Sequence, residues 1–170
     1  SMDYSSGHLK GSLNIGLGGQ YATWAGTLLD RDRPIILITD EGKEEESALR
    51  LGRIGFDHVK GYLQGGTSSL SDHPELVEQL ERIAAVNLSE QMDGKPAPVS
   101  VDVRNAGERA GKHIDGSLHM PLNHLSEQLD QIPRDREIVV HCAGGYRSTV
   151  ACSLLQRAGI PHVRDLVGGM

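Results

Sequence analysis

An internal repeat is the feature of this sequence that most constrains its fold. Each half has a His-x-x-Gly-Ser-Leu segment, an apolar run, a helical stretch that ends at glycine, and a closing Leu-x-Gly-Gly. The corresponding segments are residues 7–13 and 113–118, 34–38 and 136–141, 47–55 and 148–159, and 63–66 and 166–169. This order predicts a strand, a helix and a second strand in each half. The predicted fold class is therefore α/β, with two similar domains that each have a mainly parallel sheet flanked by helices.

The repeat also sets the expected domain boundaries. The first domain is predicted over residues 1–70 and the second over residues 83–170. Between them, Ser71 can cap a helix with Pro74 in its first turn, so residues 71–82 are predicted to form a connector helix. The second copy contains a strand over residues 99–103 that the first copy lacks. We therefore expect the first domain to be incomplete at its N-terminus.

Cys142 stands where the repeat predicts a ligand site. It follows the second apolar run and precedes a loop in which a helix begins, Ala143-Gly144-Gly145-Tyr146-Arg147-Ser148. Parallel sheets bind ligands beyond the carboxyl ends of their strands, and a helix N-terminus stabilises a thiolate. The two glycines let the loop turn its amides inward, and Arg147 adds a positive charge. The pattern predicts a nucleophilic thiol in an anion-binding loop.

The composition narrows the function classes. The formal net charge of −6 disfavours a nucleic acid partner, and no apolar run approaches the ~18 residues that a membrane span needs. The two cysteines, Cys142 and Cys152, imply no disulfide framework, so the cytoplasm is the expected compartment. The histidines show no usual metal-ligand spacing. We therefore expect no metal site and no cofactor in this chain.

Residues 142–148 resemble the C-x-x-G-x-R-S active-site loop of single-domain rhodaneses. Further landmarks of that family occur in the same order: Asp102-Val103-Arg104, Glu108, His113-x-x-Gly116, Pro121, Gly159 and Gly168-Gly169. The resemblance extends over about residues 83–170. One departure is Lys112, which stands where the family usually has glycine.

The resemblance implies a rhodanese-type sulfurtransferase in which Cys142 carries sulfur as a persulfide. The amides of residues 143–148 would hold that sulfur, and Arg147 would bind a small anionic donor, thiosulfate or a low-molecular-weight persulfide. A thiol, cyanide or sulfite would accept the sulfur. Asp102 and Arg104 are expected to support the site, either as substrate contacts or as an ion pair that braces the loop.

Other functions stay open at this point. Phosphatases and arsenate reductases of the same fold class use a C-x5-R loop, whereas Cys142 and Arg147 form the shorter C-x4-R, which suits a single sulfur atom. A non-catalytic persulfide-binding or docking module would use the same loop. Cys152 lies among apolar residues of the following helix and is expected to be a core residue rather than a second reactive thiol.

The first copy has no cysteine at the corresponding place, because its apolar run ends in Ile38-Thr39-Asp40. The register puts Thr39 opposite Cys142. A cysteine-less copy followed by an active one resembles the tandem region of fusion proteins in which a metallo-β-lactamase-like persulfide dioxygenase precedes two rhodanese modules. This resemblance implies an upstream dioxygenase domain in the full-length protein. A freestanding tandem sulfurtransferase is the alternative.

Overall fold

The computed structural model describes residues 2–170 and divides them into two compact units. The N-terminal unit comprises residues 7–10 and 15–78, and the C-terminal unit comprises residues 2–6, 11–14 and 79–170. The C-terminal unit therefore has its long segment beginning at residue 79, four residues before the predicted residue 83. It also takes in two short segments from the start of the chain, which the repeat assigned to the first domain.

The secondary structure follows the order of the repeat. The helices are α1 (Met2–Ser6), α2 (Tyr21–Leu28), α3 (Glu44–Gly52), α4 (Ala85–Met92), α5 (Ala106–Gly111) and α6 (Tyr146–Arg157). The strands are β1 (His8–Leu9), β2 (Ile35–Leu37), β3 (Val59–Tyr62), β4 (Val77–Glu78), β5 (Glu81–Ile83), β6 (Val99–Asp102), β7 (Leu118–His119), β8 (Ile138–His141) and β9 (Val163–Leu166). Short 3-10 turns cover Gly66–Leu70, Pro74–Leu76, Leu122–Glu127 and Leu129–Gln131.

The C-terminal unit is built on a five-stranded sheet in the order β5-β9-β8-β6-β7. All of its strand pairs are parallel. The central strand β8 is apolar up to His141 and is buried along its whole length, as expected for a parallel strand covered on both faces. Helix α6 packs on β8 and β9 through a largely buried face that includes Val150 and Leu155. The predicted parallel sheet flanked by helices is confirmed for this unit.

The N-terminal unit contains the first strand, helix and strand of the repeat. Strands β2 and β3 pair in parallel on either side of α3 in the chain, and β1 pairs antiparallel with β4. The helix begins at Glu44, earlier than the predicted Ser47, because three glutamates in its first turn interact favourably with the helix dipole. A hydrophobic cluster in this unit contains five buried side chains: Tyr21, Ala25, Leu37, Leu51 and Phe56.

The predicted connector helix over residues 71–82 is wrong. Pro74–Leu76 form one 3-10 turn, after which β4 pairs with β1 and β5 pairs with β9. The spacing of the apolar residues in this segment is compatible with one helix and also with two short strands. Pairing with existing strand edges satisfies the backbone groups of both β4 and β5, and this favours the strands.

Candidate active site

The loop after β8 encloses the sulfur of Cys142, whose side chain is only 1% exposed. The backbone N–H of Gly145 donates to Cys142 Sγ at 3.1 Å, and the thiol donates to Ser148 Oγ at 3.6 Å. Gly145 has a φ of +90°, a left-handed conformation that lets the chain turn directly into α6 at Tyr146. The sulfur therefore faces the N-terminus of a helix, where the helix dipole favours negative charge.

Gly169 supports the loop from behind. A Cβ at Gly169 would lie 2.4 Å from the carbonyl oxygen of Cys142 and 2.7 Å from the carbonyl carbon of Ala143. The backbone N–H of Met170 then donates to the carbonyl oxygen of Cys142 at 2.9 Å. Because the two backbones approach this closely, the second glycine of the closing Gly-Gly fixes the start of the cysteine loop.

Arg147 is held by a carboxylate at the edge of the loop. Its Nη1 and Nη2 donate to Oε2 and Oε1 of Glu108 at 2.7 and 2.6 Å, a bidentate ion pair. The hydrogen bonds of this pair lower the pKa of Glu108 and raise the pKa of Arg147. The side chains of Glu108 and Arg147 are 29% and 23% exposed, so an incoming anion would share the guanidinium with Glu108. The binding of an anionic donor by Arg147 stays a prediction.

Glu108 is positioned by the start of α5. Asn105 caps this helix and accepts a hydrogen bond from the N–H of Glu108, while the Glu108 carboxylate accepts one from the N–H of Asn105. This reciprocal capping box fixes the first turn of the helix. Glu108 was a family landmark in the sequence but not a predicted site residue, and the capping pattern was the available signal.

Asp102 and Arg104 form a buried ion pair beside the site. Arg104 Nε and Nη2 donate to the two carboxylate oxygens at 2.9 and 2.7 Å, and Nη2 also donates to the carbonyl of Lys112. Although burial acts in the opposite direction, these hydrogen bonds lower the pKa of Asp102. Arg109 Nη1 lies 3.4 Å from the same carboxylate. These contacts tie the end of β6 to α5 and to Lys112 after it. Whether Asp102 and Arg104 contact substrate or brace the cysteine loop stays a prediction.

A second carboxylate lies behind the loop. Ser148 Oγ donates to Asp165 Oδ1 at 2.6 Å, and Arg82 donates to Asp165 Oδ2 at 3.1 Å. Burial raises the pKa of Asp165 even though Ser148 and Arg82 stabilise its charged form. Asp165 and Arg82 were not among the predicted site residues. The available signal was an acidic residue in a short strand just before the closing Gly-Gly.

The remaining candidates lie in the interior. Cys152 is buried in α6, and burial raises the pKa of its thiol well above the ordinary value. His141 is buried on β8 with Nδ1 4.0 Å from Asp102, and burial lowers the pKa of its imidazole. Within residues 2–170, no cluster of three or more His, Cys, Asp or Glu side chains could hold a metal ion. No helix in that range is long and apolar enough to cross a bilayer.

The N-terminal unit repeats the glycine support without a cysteine. A Cβ on Gly66 would lie 2.6 Å from the carbonyl oxygen of Thr39, just as a Cβ on Gly169 would meet that of Cys142. Both glycines are the second of a Leu-x-Gly-Gly segment. The two close contacts therefore match Thr39 with Cys142 in space, as the repeat matched them in sequence.

The fold and the loop define an α/β protein with a cysteine at the carboxyl edge of a parallel sheet. The family model described as rhodanese-like domain matches residues 85–170, half of the chain. The chain therefore belongs to the rhodanese-like domain family. The match lies entirely in the C-terminal unit and includes the Cys142 loop.

Individual relatives agree with this assignment. A sulfurtransferase of Allochromatium vinosum is 31% identical over 91 residues, which cover 54% of this chain and 85% of the relative. A tRNA uridine(34) hydroxylase of Buchnera aphidicola is 29% identical over 94 residues, 52% of this chain but only 30% of that protein. The crystal structure of a rhodanese-like domain protein from Staphylococcus aureus has a TM-score of 0.51 at 25% identity, covering 54% of this chain and 88% of that one.

Proposed function

We propose that this chain is a sulfurtransferase that carries sulfane sulfur on Cys142 as a persulfide. The observation that carries the proposal is the position of Cys142 Sγ, 3.1 Å from the N–H of Gly145 at the start of α6. Negative charge on sulfur is stabilised there whether it lies on a thiolate or on a persulfide. Membership of the rhodanese-like family and the relative named sulfurtransferase support the same reaction.

The proposed reaction is a double displacement. The Cys142 thiolate attacks the outer sulfur of thiosulfate, and the sulfur–sulfur bond of the donor breaks with its electron pair leaving on sulfite. With a low-molecular-weight persulfide, a thiolate leaves instead. A thiol, cyanide or sulfite then attacks the outer sulfur of the enzyme persulfide and releases the Cys142 thiolate. The chain needs no metal or organic cofactor for either step.

Arg147 is proposed to orient the anionic donor together with the loop amides. Its pairing with Glu108 cancels much of its net charge, so the guanidinium would act through its remaining N–H groups rather than as a free cation. Such a site favours a small anion that offers hydrogen-bond acceptors. Thiosulfate and a persulfide anion both fit this requirement.

Intact-mass spectrometry after incubation with a donor tests the proposal. Wild-type protein should gain one sulfur atom from thiosulfate or glutathione persulfide, and cyanide should remove it. Cys142→Ser should gain none. Cys152→Ser, the same substitution at the cysteine within α6, should load like wild type. Protein that never loads but binds a partner through the loop would instead be a docking module. Release of phosphate from an aryl phosphate would point to a phosphatase.

We also propose that the N-terminal unit is a cysteine-less rhodanese-like copy. The parallel pair β2 and β3 and the matching contacts of Gly66 and Gly169 support this assignment. With the resemblance to persulfide dioxygenase fusions, it leads us to propose an upstream dioxygenase domain as a partner and a low-molecular-weight persulfide as the donor to test first. Faster loading from glutathione persulfide than from thiosulfate would support that donor class, and the reverse order would count against it.

A further inference from the structure

A buried line of hydrogen bonds connects the sulfur of Cys142 to a carboxylate on the neighbouring strand β9. Cys142 Sγ lies 3.6 Å from Ser148 Oγ, and Ser148 Oγ lies 2.6 Å from Asp165 Oδ1. Asp165 is 0% exposed, and its other oxygen, Oδ2, accepts a hydrogen bond from Arg82 Nε and forms an ion pair with that guanidinium. The double displacement described above makes no use of this carboxylate, although only the side chain of Ser148 lies between it and the reactive sulfur.

The hydroxyl of Ser148 has one hydrogen and two acceptors that compete for it. The Asp165 carboxylate is 2.6 Å away and the carbonyl oxygen of Gly145 is 3.2 Å away. A charged acceptor at the shorter distance takes the hydrogen. Ser148 Oγ then presents only lone pairs to Cys142, so it can accept a hydrogen bond from the thiol but cannot donate one to a sulfur anion.

A proton on Asp165 reverses this arrangement. The neutral acid donates to Ser148 Oγ, and the hydroxyl hydrogen of Ser148 then goes to an anionic Cys142 Sγ in preference to the neutral carbonyl of Gly145. A hydrogen bond donated to a sulfur anion stabilises that anion. The protonation state of a carboxylate that never touches the sulfur therefore changes the stability of the Cys142 anion.

We propose that Asp165 is a positioning residue that acts on Cys142 through Ser148. When Asp165 is neutral, it donates to Ser148 Oγ, and the hydroxyl of Ser148 donates to the Cys142 anion and stabilises it. When Asp165 is charged, the Ser148 hydroxyl donates to Asp165 and gives no hydrogen bond to the sulfur. The inference rests on the proposed function only in taking Cys142 as the reactive thiol.

The groups that face Asp165 are consistent with a carboxyl that can change its charge. Arg82 on β5 favours the carboxylate, whereas burial favours the acid and raises the pKa of Asp165. From α6, Ser148 donates to the carboxylate, and the thiol of Cys152 is kept neutral because burial raises its pKa. Cys142 is a further titratable group close to Ser148.

Asp165→Asn is the central test. Arg82 would hold the amide oxygen, so the amide N–H₂ would face Ser148 and donate to it permanently, as the neutral acid does. Alkylation of Cys142 by iodoacetamide should then be about tenfold faster below its pH midpoint, and the midpoint should move to lower pH. Peptide mass spectrometry reads Cys142 separately from Cys152. In a Ser148→Ala background, the same substitution should change nothing.

Two outcomes would overturn the proposal. Equal acceleration in the Ser148→Ala background would show that the charge of Asp165 acts directly through space. An unchanged pH profile in folded Asp165→Asn would leave Asp165 a packing residue only. Alkylation and sulfur loading are separate readouts, so a protein that alkylates as expected but accepts no sulfur would refute the proposed function and not this inference.

Arg82→Gln is a second variant that keeps the carboxylate and answers the question if Asp165→Asn does not fold. Loss of the guanidinium favours the neutral form of Asp165, so the proposal predicts faster alkylation of Cys142 near neutral pH. Simple loss of a nearby cation would instead destabilise the thiolate and slow the reaction. Slower or unchanged alkylation in folded Arg82→Gln would therefore contradict the proposal.

Discussion

Replacing Gly169 by alanine should disturb the cysteine loop through its backbone alone. Alanine at a φ of +69° costs about 1–2 kcal/mol in the left-handed region. The new Cβ would also lie 2.4 Å from the carbonyl oxygen of Cys142, and relieving such overpacking costs about 1–3 kcal/mol. The total is a loss of about 2–5 kcal/mol in the free energy of unfolding. Because the contacted atoms belong to the backbone, the loop itself must move.

Gly168→Ala is the matched control for this prediction. Gly168 has a φ of +79°, but no atom lies within 4 Å of the position that its Cβ would take, so only the conformational cost of about 1–2 kcal/mol applies. Urea unfolding followed by circular dichroism measures both losses, and intact mass measures sulfur loading of Cys142. We expect Gly169→Ala to be the less stable variant and the slower one to load. Equal stability of the two variants, or wild-type loading by Gly169→Ala, would refute the reasoning.

Three further outcomes follow from the site. Arg147→Ala should weaken the use of thiosulfate by roughly 1.5–3 kcal/mol in kcat/KM, because a charged hydrogen-bond donor is lost and Glu108 is left unpaired; unchanged kinetics would remove Arg147 from the donor site. Glu108→Gln should cost about 1 kcal/mol of stability at pH 7. The folded pKa of Glu108 is lowered, so wild type should have its full stability advantage over Glu108→Gln above the ordinary glutamate pKa. This advantage should disappear as the pH falls through the folded pKa, and unfolding at several pH values measures it. Thr39→Cys in a Cys142→Ser background should not load sulfur in the intact-mass assay, because the acidic residues after Thr39 raise a thiol pKa and repel an anionic donor, and stoichiometric loading would contradict this.

The parts of the fold that the sequence predicts well are those with a strong local pattern. The apolar run before Cys142 and the glycine after α6 identify a buried strand and a helix end without any knowledge of partners. The segment at 71–82 has no such pattern, because its apolar spacing fits a helix and two strands equally. Its strands exist because β1 and β9 offer edges to pair with, and those edges lie far away in the chain.

The candidate site divides in the same way. The cysteine loop is contiguous, so Cys142 and Arg147 could be chosen from the sequence. Glu108 lies 39 residues before Arg147, and Asp165 lies 17 residues after Ser148. Nothing local in the sequence joins these pairs. Each ion pair or hydrogen bond becomes visible only when the sheet order places α5 and β9 on either side of the loop.

The close approach of Gly66 to Thr39 changes how the closing Leu-x-Gly-Gly should be interpreted in related sequences. This glycine contact occurs in both units, yet only one of them has a sulfur to support. The glycine is therefore required by chain geometry, because one backbone passes close to the end of a neighbouring strand. A genome survey that used this segment to count cysteine sites would also count copies that have no cysteine. The residues between the central strand and the following helix are the ones that distinguish the two.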